Sequence, residues 1–254
     1  MNWLSRWFGA RTPQIEQAEF DAAVARLPIL RGFDAADLAR LRTLASSFLH
    51  KKRFSVAGGA EPDRRAELAI ALQACLLILN LDAHSYRGWR EIVLYPDLFL
   101  KPHTQTDAAG VVHERRDILS GESWHNGPLI LSIADAWASG QGSGNNVVLH
   151  EFAHKLDMLN GIADGFPPLH RGMDSAAWKR DFSAAYDDIC LRARYNLPNA
   201  INAYAATSPA EFFAVLSEVF FETPATLLEQ YPAVYRQMQQ FYRQDPFARL
   251  GDTA

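Results

Sequence analysis

Apolar residues occur along this chain in blocks set apart by glycine, proline and short polar runs, and the blocks are of two kinds. Long blocks with interleaved polar positions predict helices, and short ones rich in valine, isoleucine and leucine predict strands. The first part is predicted helical, over 14–26, over 34–49, and in an apolar helix opening at Pro62 or Asp63 after the loop Ala57-Gly58-Gly59-Ala60. The run 68–81 is the most apolar of all, yet it is too short to span a bilayer and contains Gln73 and Asn80, so it is predicted to be a buried helix. Strand signals follow at Glu91–Tyr95, ended by Pro96, around 110–113, and at 128–132. Helices are then expected from about 147, at Ser175–Arg194, at 208–222 and at 223–242. The expected fold class is α+β, a predominantly helical single domain with a small mixed or antiparallel sheet. Residues 1–85 are expected to form a helical region packed on the core formed by 86–254.

The helix from about 147 carries the chemistry. Val147, Val148, Leu149, Phe152, Ala153, Leu156 and Leu159 make it largely apolar, leaving His150, Glu151 and His154 on a narrow stripe. Residues i and i+4 lie one above the other on a helix, so His150 and His154 can offer two imidazole nitrogens to one ion. Glu151 lies beside that face, within reach of a metal-bound water. Two surface histidines at this spacing would look the same locally, but a buried His-Glu-His stripe is costly unless metal or hydrogen bonds satisfy it. Asn145 or Asn146 is the expected cap, after a flexible Gly140-Gln141-Gly142-Ser143-Gly144 stretch, and Asn160-Gly161 the expected stop. Asp157 continues the stripe and is placed to accept a hydrogen bond from the far nitrogen of one histidine; a solvated acid near the helix end is the alternative.

A hydrolytic zinc site takes three protein ligands and leaves one position open. A metzincin-type extension needs Gly at 157 and His at 160, where this chain has Asp157 and Asn160. Glu211, after Pro209 in an apolar helix, is a candidate third ligand, but Ser208 with Glu211 also spells a capping box. Glu218, Asp164 and His170 are further candidates, and local chemistry leaves the choice open. Pro128 heads a strand that would serve, as an edge, to pair an extended peptide, with Leu129 and Leu131 on that strand and Trp124 and His125 lining the cleft.

His150-Glu151-Phe152-Ala153-His154, then Tyr204-Ala205, then Glu211-Phe212-Phe213-Ala214 resembles the MtfA family of zinc peptidases, named for titrating the Mlc glucose repressor. The likeness runs along most of the chain and includes Gly127-Pro128-Leu129-Ile130-Leu131-Ser132. The same order of elements is similar to the catalytic domain of anthrax lethal factor, a gluzincin. The resemblance implies a zincin-type active-site helix and one zinc per chain held by His150, His154 and Glu211. It further implies Glu151 as general base, Tyr204 as oxyanion donor, a peptide substrate with aminopeptidase-type cleavage in scope, and a repressor partner tied to sugar uptake. Val215 departs from the lethal factor pattern, where a second Glu follows the ligand by one turn, and Glu218 is the substitute expected here.

A length of 254 residues with 48% hydrophobic content suits one sizeable core. A net charge of −4 gives no electrostatic footprint for nucleic acid. Lys51-Lys52-Arg53 is expected to be a solvated turn. The two cysteines, Cys75 and Cys190, make no disulfide framework, which suits a reducing compartment. Trp3 and Trp7 sit in an N-terminus that lacks a signal-peptide pattern, and no stable membrane insertion is expected. A soluble, cytoplasmic peptidase is the expectation; a regulatory protein that sequesters a transcriptional repressor, with a vestigial or structural zinc site, is the alternative.

Overall fold

The computed structural model describes residues 13–82, 84–96 and 127–251, together with the backbone of 99–106, 112–119 and 121–123. Trp3, Trp7, Trp124 and His125, with the cleft role expected of the last two, lie outside the described residues.

Two helices, α1 (Gln17–Ala25) and α2 (Ala35–Lys51), lead into strand β1 (Arg53–Val56) and the apolar helix α3 (Arg64–Leu77). Asp34 and Asp63 cap the second and third helices through their carboxylates. From Leu68 to Leu77 only Ala69 keeps appreciable exposure, as the block pattern requires of a helix sunk in the core. Strands β2 (Glu91–Tyr95), β3 (Phe99–Thr106), β4 (Val112–Leu119), β5 (Gly121–Ser123) and β6 (Leu129–Ser132) follow. The rest is helical: α4 (Ile133–Ala138), α5 (Val147–Asp157), α6 (Ser175–Arg194), α7 (Pro209–Glu222), α8 (Pro224–Gln230), α9 (Pro232–Tyr242) and α10 (Pro246–Leu250).

The main sheet is mixed, in the order β1-β2-β6-β5. β1, β2 and β6 run parallel, with Ile92 opposite both Phe54 and Leu129, and β5 closes the sheet antiparallel to β6. β3 and β4 form a separate antiparallel pair, from Phe99 opposite Leu119 to Thr106 opposite Val112. Alternation puts Ile92, Leu94, Leu129 and Leu131 into the core.

Three expectations are corrected. β6 is an interior strand between β2 and β5, so it offers no edge to a peptide, and Leu129 and Leu131, expected on a peptide-pairing strand, are fully buried in the core. Lys52 is no solvated turn: its Nζ donates to the carbonyls of Tyr86 (2.7 Å) and Trp89 (2.8 Å) and lies 3.3 Å from the Trp89 ring centre. The helix expected over 223–242 is two, because the residue before a proline is steered out of helical geometry; Tyr231, before Pro232, sits at φ −136°, ψ 68°.

One apolar core runs from Ile15 to Tyr242. It anchors α5 from behind: the Phe152 ring packs against Phe48, Tyr86 and Trp89 at centroid distances of 5.6, 5.1 and 5.8 Å. That leaves the opposite stripe of α5 facing α7.

Candidate metal centre

Asn146 caps α5, its side-chain oxygen accepting from Leu149 N–H at 2.8 Å, and the helix continues through a 3₁₀ turn at Met158–Asn160 to Gly161. On the stripe that faces α7, His150 Nε2 and His154 Nε2 are 3.2 Å apart. From α7, Glu211 Oε2 reaches them at 2.9 and 3.4 Å. The three side chains present one ligand atom each, all within 4.8 Å of one another. Ligands of a tetrahedral ion with bonds of about 2.0–2.1 Å stand roughly 3.3 Å apart, so this donor set fits such an ion. The two imidazoles and one carboxylate are also the ligand types zinc takes.

Glu211 has only half of a capping box. Ser208 Oγ accepts from Glu211 N–H at 3.2 Å, while the Glu211 carboxylate turns to the histidines. Electrostatics point the same way. Burial alone would lower the pKa of His150, but hydrogen bonds to Glu211 and Glu218 outweigh it and push the value up to about 10. Burial likewise opposes ionisation of Glu211, yet the two histidines hold its carboxyl well below the usual range. The pocket therefore favours positive charge at the point where the ligand atoms meet.

The far nitrogen of His150 is fixed by Glu218, whose Oε1 accepts from Nδ1 at 2.7 Å. Asp157 does not play the part expected of it. Its Oδ2 accepts from Gly165 N–H at 2.8 Å, and neither its Oδ1 nor His154 Nδ1 has a hydrogen-bond partner among the described residues. Burial pushes the Asp157 carboxyl up to about 6. Gly165 holds φ +75° against the start of α7, where a Cβ would overlap the Pro209 carbonyl. Asp157 thus ties α5 to the turn that abuts α7. Of the other two candidate ligands, His170 donates from Nε2 to the Phe241 carbonyl (2.7 Å), and Asp164 caps its own turn at Phe166 N–H (3.0 Å).

Glu151 is buried beside the cluster. Tyr204, in a 3₁₀ turn at Ala203–Ala206, is 44% exposed, and its ring centre lies 6.0 Å from that of His150. A partly solvent-exposed tyrosine ring thus stands beside the His150 imidazole.

A family model described as glucose-regulated metallo-peptidase M90 matches residues 2–243. The chain belongs to the M90 metallopeptidase family. Among curated relatives, Mlc titration factor A of Salmonella typhi is 42% identical over 253 residues, covering 98% of this chain and 94% of that protein. Mlc titration factor A of Salmonella arizonae is 43% identical over 236 residues, covering 91% and 92%.

Sequence reasoning missed two residues beside this centre. Gln73 Oε1 accepts from Asn146 Nδ2 at 2.7 Å, and Glu222 Oε1 accepts from the same nitrogen at 2.6 Å. Glu222 also receives the N–H groups of Gly140, Gly142 and Ser143, so the stretch expected to be flexible is tethered. A helical-face count gives a signal for Glu222: it follows Glu211 by 11 residues and Glu218 by 4, which puts all three on one side of α7.

Proposed function

We propose that this M90 member is a zinc-dependent peptidase. The observation that carries the reading is the convergence of His150, His154 and Glu211 from two helices, with Glu151 buried alongside and the exposed Tyr204 ring beside His150. Zinc bound by these three residues would supply a Lewis acid that polarises a carbonyl and brings the pKa of water to about 7. Glu151 takes the proton of the attacking water and returns it to the leaving amine. The Tyr204 hydroxyl donates to the carbonyl oxygen as negative charge grows there. Glu218 holds the His150 ring in one orientation and tautomer through Nδ1.

Glu151→Gln tests the reading. Peptide hydrolysis should fall by about a hundred- to ten-thousandfold, in line with the loss of a general base, while metal analysis still finds one zinc per chain. Hydrolysis at the wild-type rate would overturn the role of Glu151, and no zinc in either protein would overturn the site.

The name of the relatives favours a second, compatible reading: this chain also binds a transcriptional repressor of the Mlc type, in the cytoplasm, and so bears on sugar uptake. The Glu151→Gln variant separates the two, because a binding role survives loss of the base. No helix among the described residues is long and apolar enough to cross a membrane.

A further inference from the structure

Glu222 is a buried carboxyl, 1% exposed, that the peptidase chemistry does not use. Its four acceptor positions are all filled. Oε1 receives Gly140 N–H (2.8 Å) and Asn146 Nδ2 (2.6 Å), and Oε2 receives Gly142 N–H (2.5 Å) and Ser143 N–H (3.0 Å). A carboxylate offers about four lone-pair sites, so the loop 140–146 is built to saturate this one group. Gly140 sits at φ +83°, and a Cβ there would strike Leu27 at 2.6 Å, so the loop is shaped for close approach as well.

The ties continue to the metal ligand. Asn146, gripped by Glu222 and Gln73, gives its backbone N–H to Glu218 Oε2 (2.5 Å), while Glu218 Oε1 holds His150 Nδ1 (2.7 Å). His150 N–H in turn donates to the Asn146 carbonyl at 2.9 Å. Asn146, Glu218 and His150 therefore close a ring of hydrogen bonds, and Glu222 fixes the asparagine corner of it.

We infer that Glu222 is a positioning residue for the metal centre: through Asn146 it sets the first turn of α5 and hence the aim of His150. This rests on the zinc reading above. Outer-shell partners of metal ligands typically contribute about ten- to a hundredfold in affinity. Glu222 stands two hydrogen bonds beyond Glu218, the direct partner of the His150 ring, so the low end, about tenfold, is expected.

The test is zinc affinity of the full chain by competition with a chromophoric chelator, read beside the thermal midpoint in excess chelator. Glu222→Gln keeps the shape but turns an NH₂ group onto two N–H donors, and should weaken zinc binding about tenfold. Asn146→Ser keeps a capping oxygen but loses the amide that Glu222 holds. If Glu222 acts through Asn146, the double variant should bind zinc no more weakly than the weaker single variant. Ser217→Ala, on the same helix, loses hydrogen bonds to Tyr242 and Phe213 and controls for general destabilisation. It should lower the midpoint and leave zinc affinity alone. Unchanged affinity in Glu222→Gln, or a loss that Ser217→Ala matches, overturns the inference. Multiplied losses in the double variant also overturn it. Absence of tight zinc binding by wild type overturns the underlying reading instead.

Discussion

The two faces of α7 hold the molecule together in different ways. One face carries Glu211, Glu218 and Glu222, and each carboxylate meets a specific atom on α5 or the loop before it. The other carries phenylalanines. Phe212 packs edge-on to Phe182 and Tyr186, Phe213 contacts Trp178 and Phe241, and Phe220 stacks on Tyr242. Apolar contact scales with area and tolerates small shifts, whereas a hydrogen bond weakens steeply when its angle or length is wrong. The phenylalanine face therefore supplies adhesion to α6 and α9, and the acidic face supplies the register that brings Glu211 to the histidines. Stability and site geometry are divided between opposite sides of one helix.

That division is broken most directly at Glu211. Glu211→Ala should leave the fold intact, since the side chain is half-buried, and should reduce zinc affinity by at least about a hundredfold through loss of a direct ligand. Equilibrium dialysis against zinc checks it; wild-type affinity would mean that another acid completes the site. Phe213→Ala is the opposite experiment. Removing a fully buried ring costs about 3–5 kcal/mol, which in a chain of this size lowers the thermal midpoint by roughly 10 °C. Below the transition the variant should still bind one zinc per chain. A Phe213→Ala protein that folds but loses zinc would show that adhesion and register are not separable.

The same contrast explains what the sequence made legible. A helix presents its i and i+4 residues together whatever it packs against, so His150 and His154 could be read from spacing alone. Capping and proline signals likewise gave the start of α7, and the predicted limits of α6 and β2 coincide with the observed ones. What failed depends on distant partners. β1 is a strand because Arg53 to Val56 pair with Glu91 to Leu94, and β6 is interior because three residues of β5 cover it. Spacing offered Asp157 as the acid behind a histidine, and only the family resemblance pointed to Glu218; the fold uses Glu218 behind His150 and spends Asp157 on Gly165, a choice set by the approach of α7 and of the turn at 164–166. Glycine content suggested slack in 140–144, and only the position of Glu222 shows that the backbone N–H groups there have an acceptor.

The smallest effect sharpens the comparison within the acids themselves. Glu222 has every lone-pair site filled, whereas Asp157 is equally buried with one oxygen partnerless among the described residues. Burial raises the pKa of both carboxyls; hydrogen bonds from Asn146 and from the Gly142, Gly140 and Ser143 N–H groups oppose the rise at Glu222, whereas Asp157, with fewer donors, is pushed up to about 6. The protonated form is therefore the one that folding favours. Its contribution is fully present below the unfolded value of about 3.9 and is lost as pH rises through about 6. Asp157→Asn keeps an acceptor for Gly165 N–H and removes the charge. Above pH 6 it should be more stable than wild type by about 1 kcal/mol, after discounting for residual solvent screening. That corresponds to a rise of roughly 2–4 °C in thermal midpoint. The advantage should shrink steadily towards pH 4. Midpoints measured across this range in excess chelator, so that zinc release does not enter, check the sign. A constant difference would show that the hydrogen bond to Gly165, and not the buried charge, is what the substitution changes.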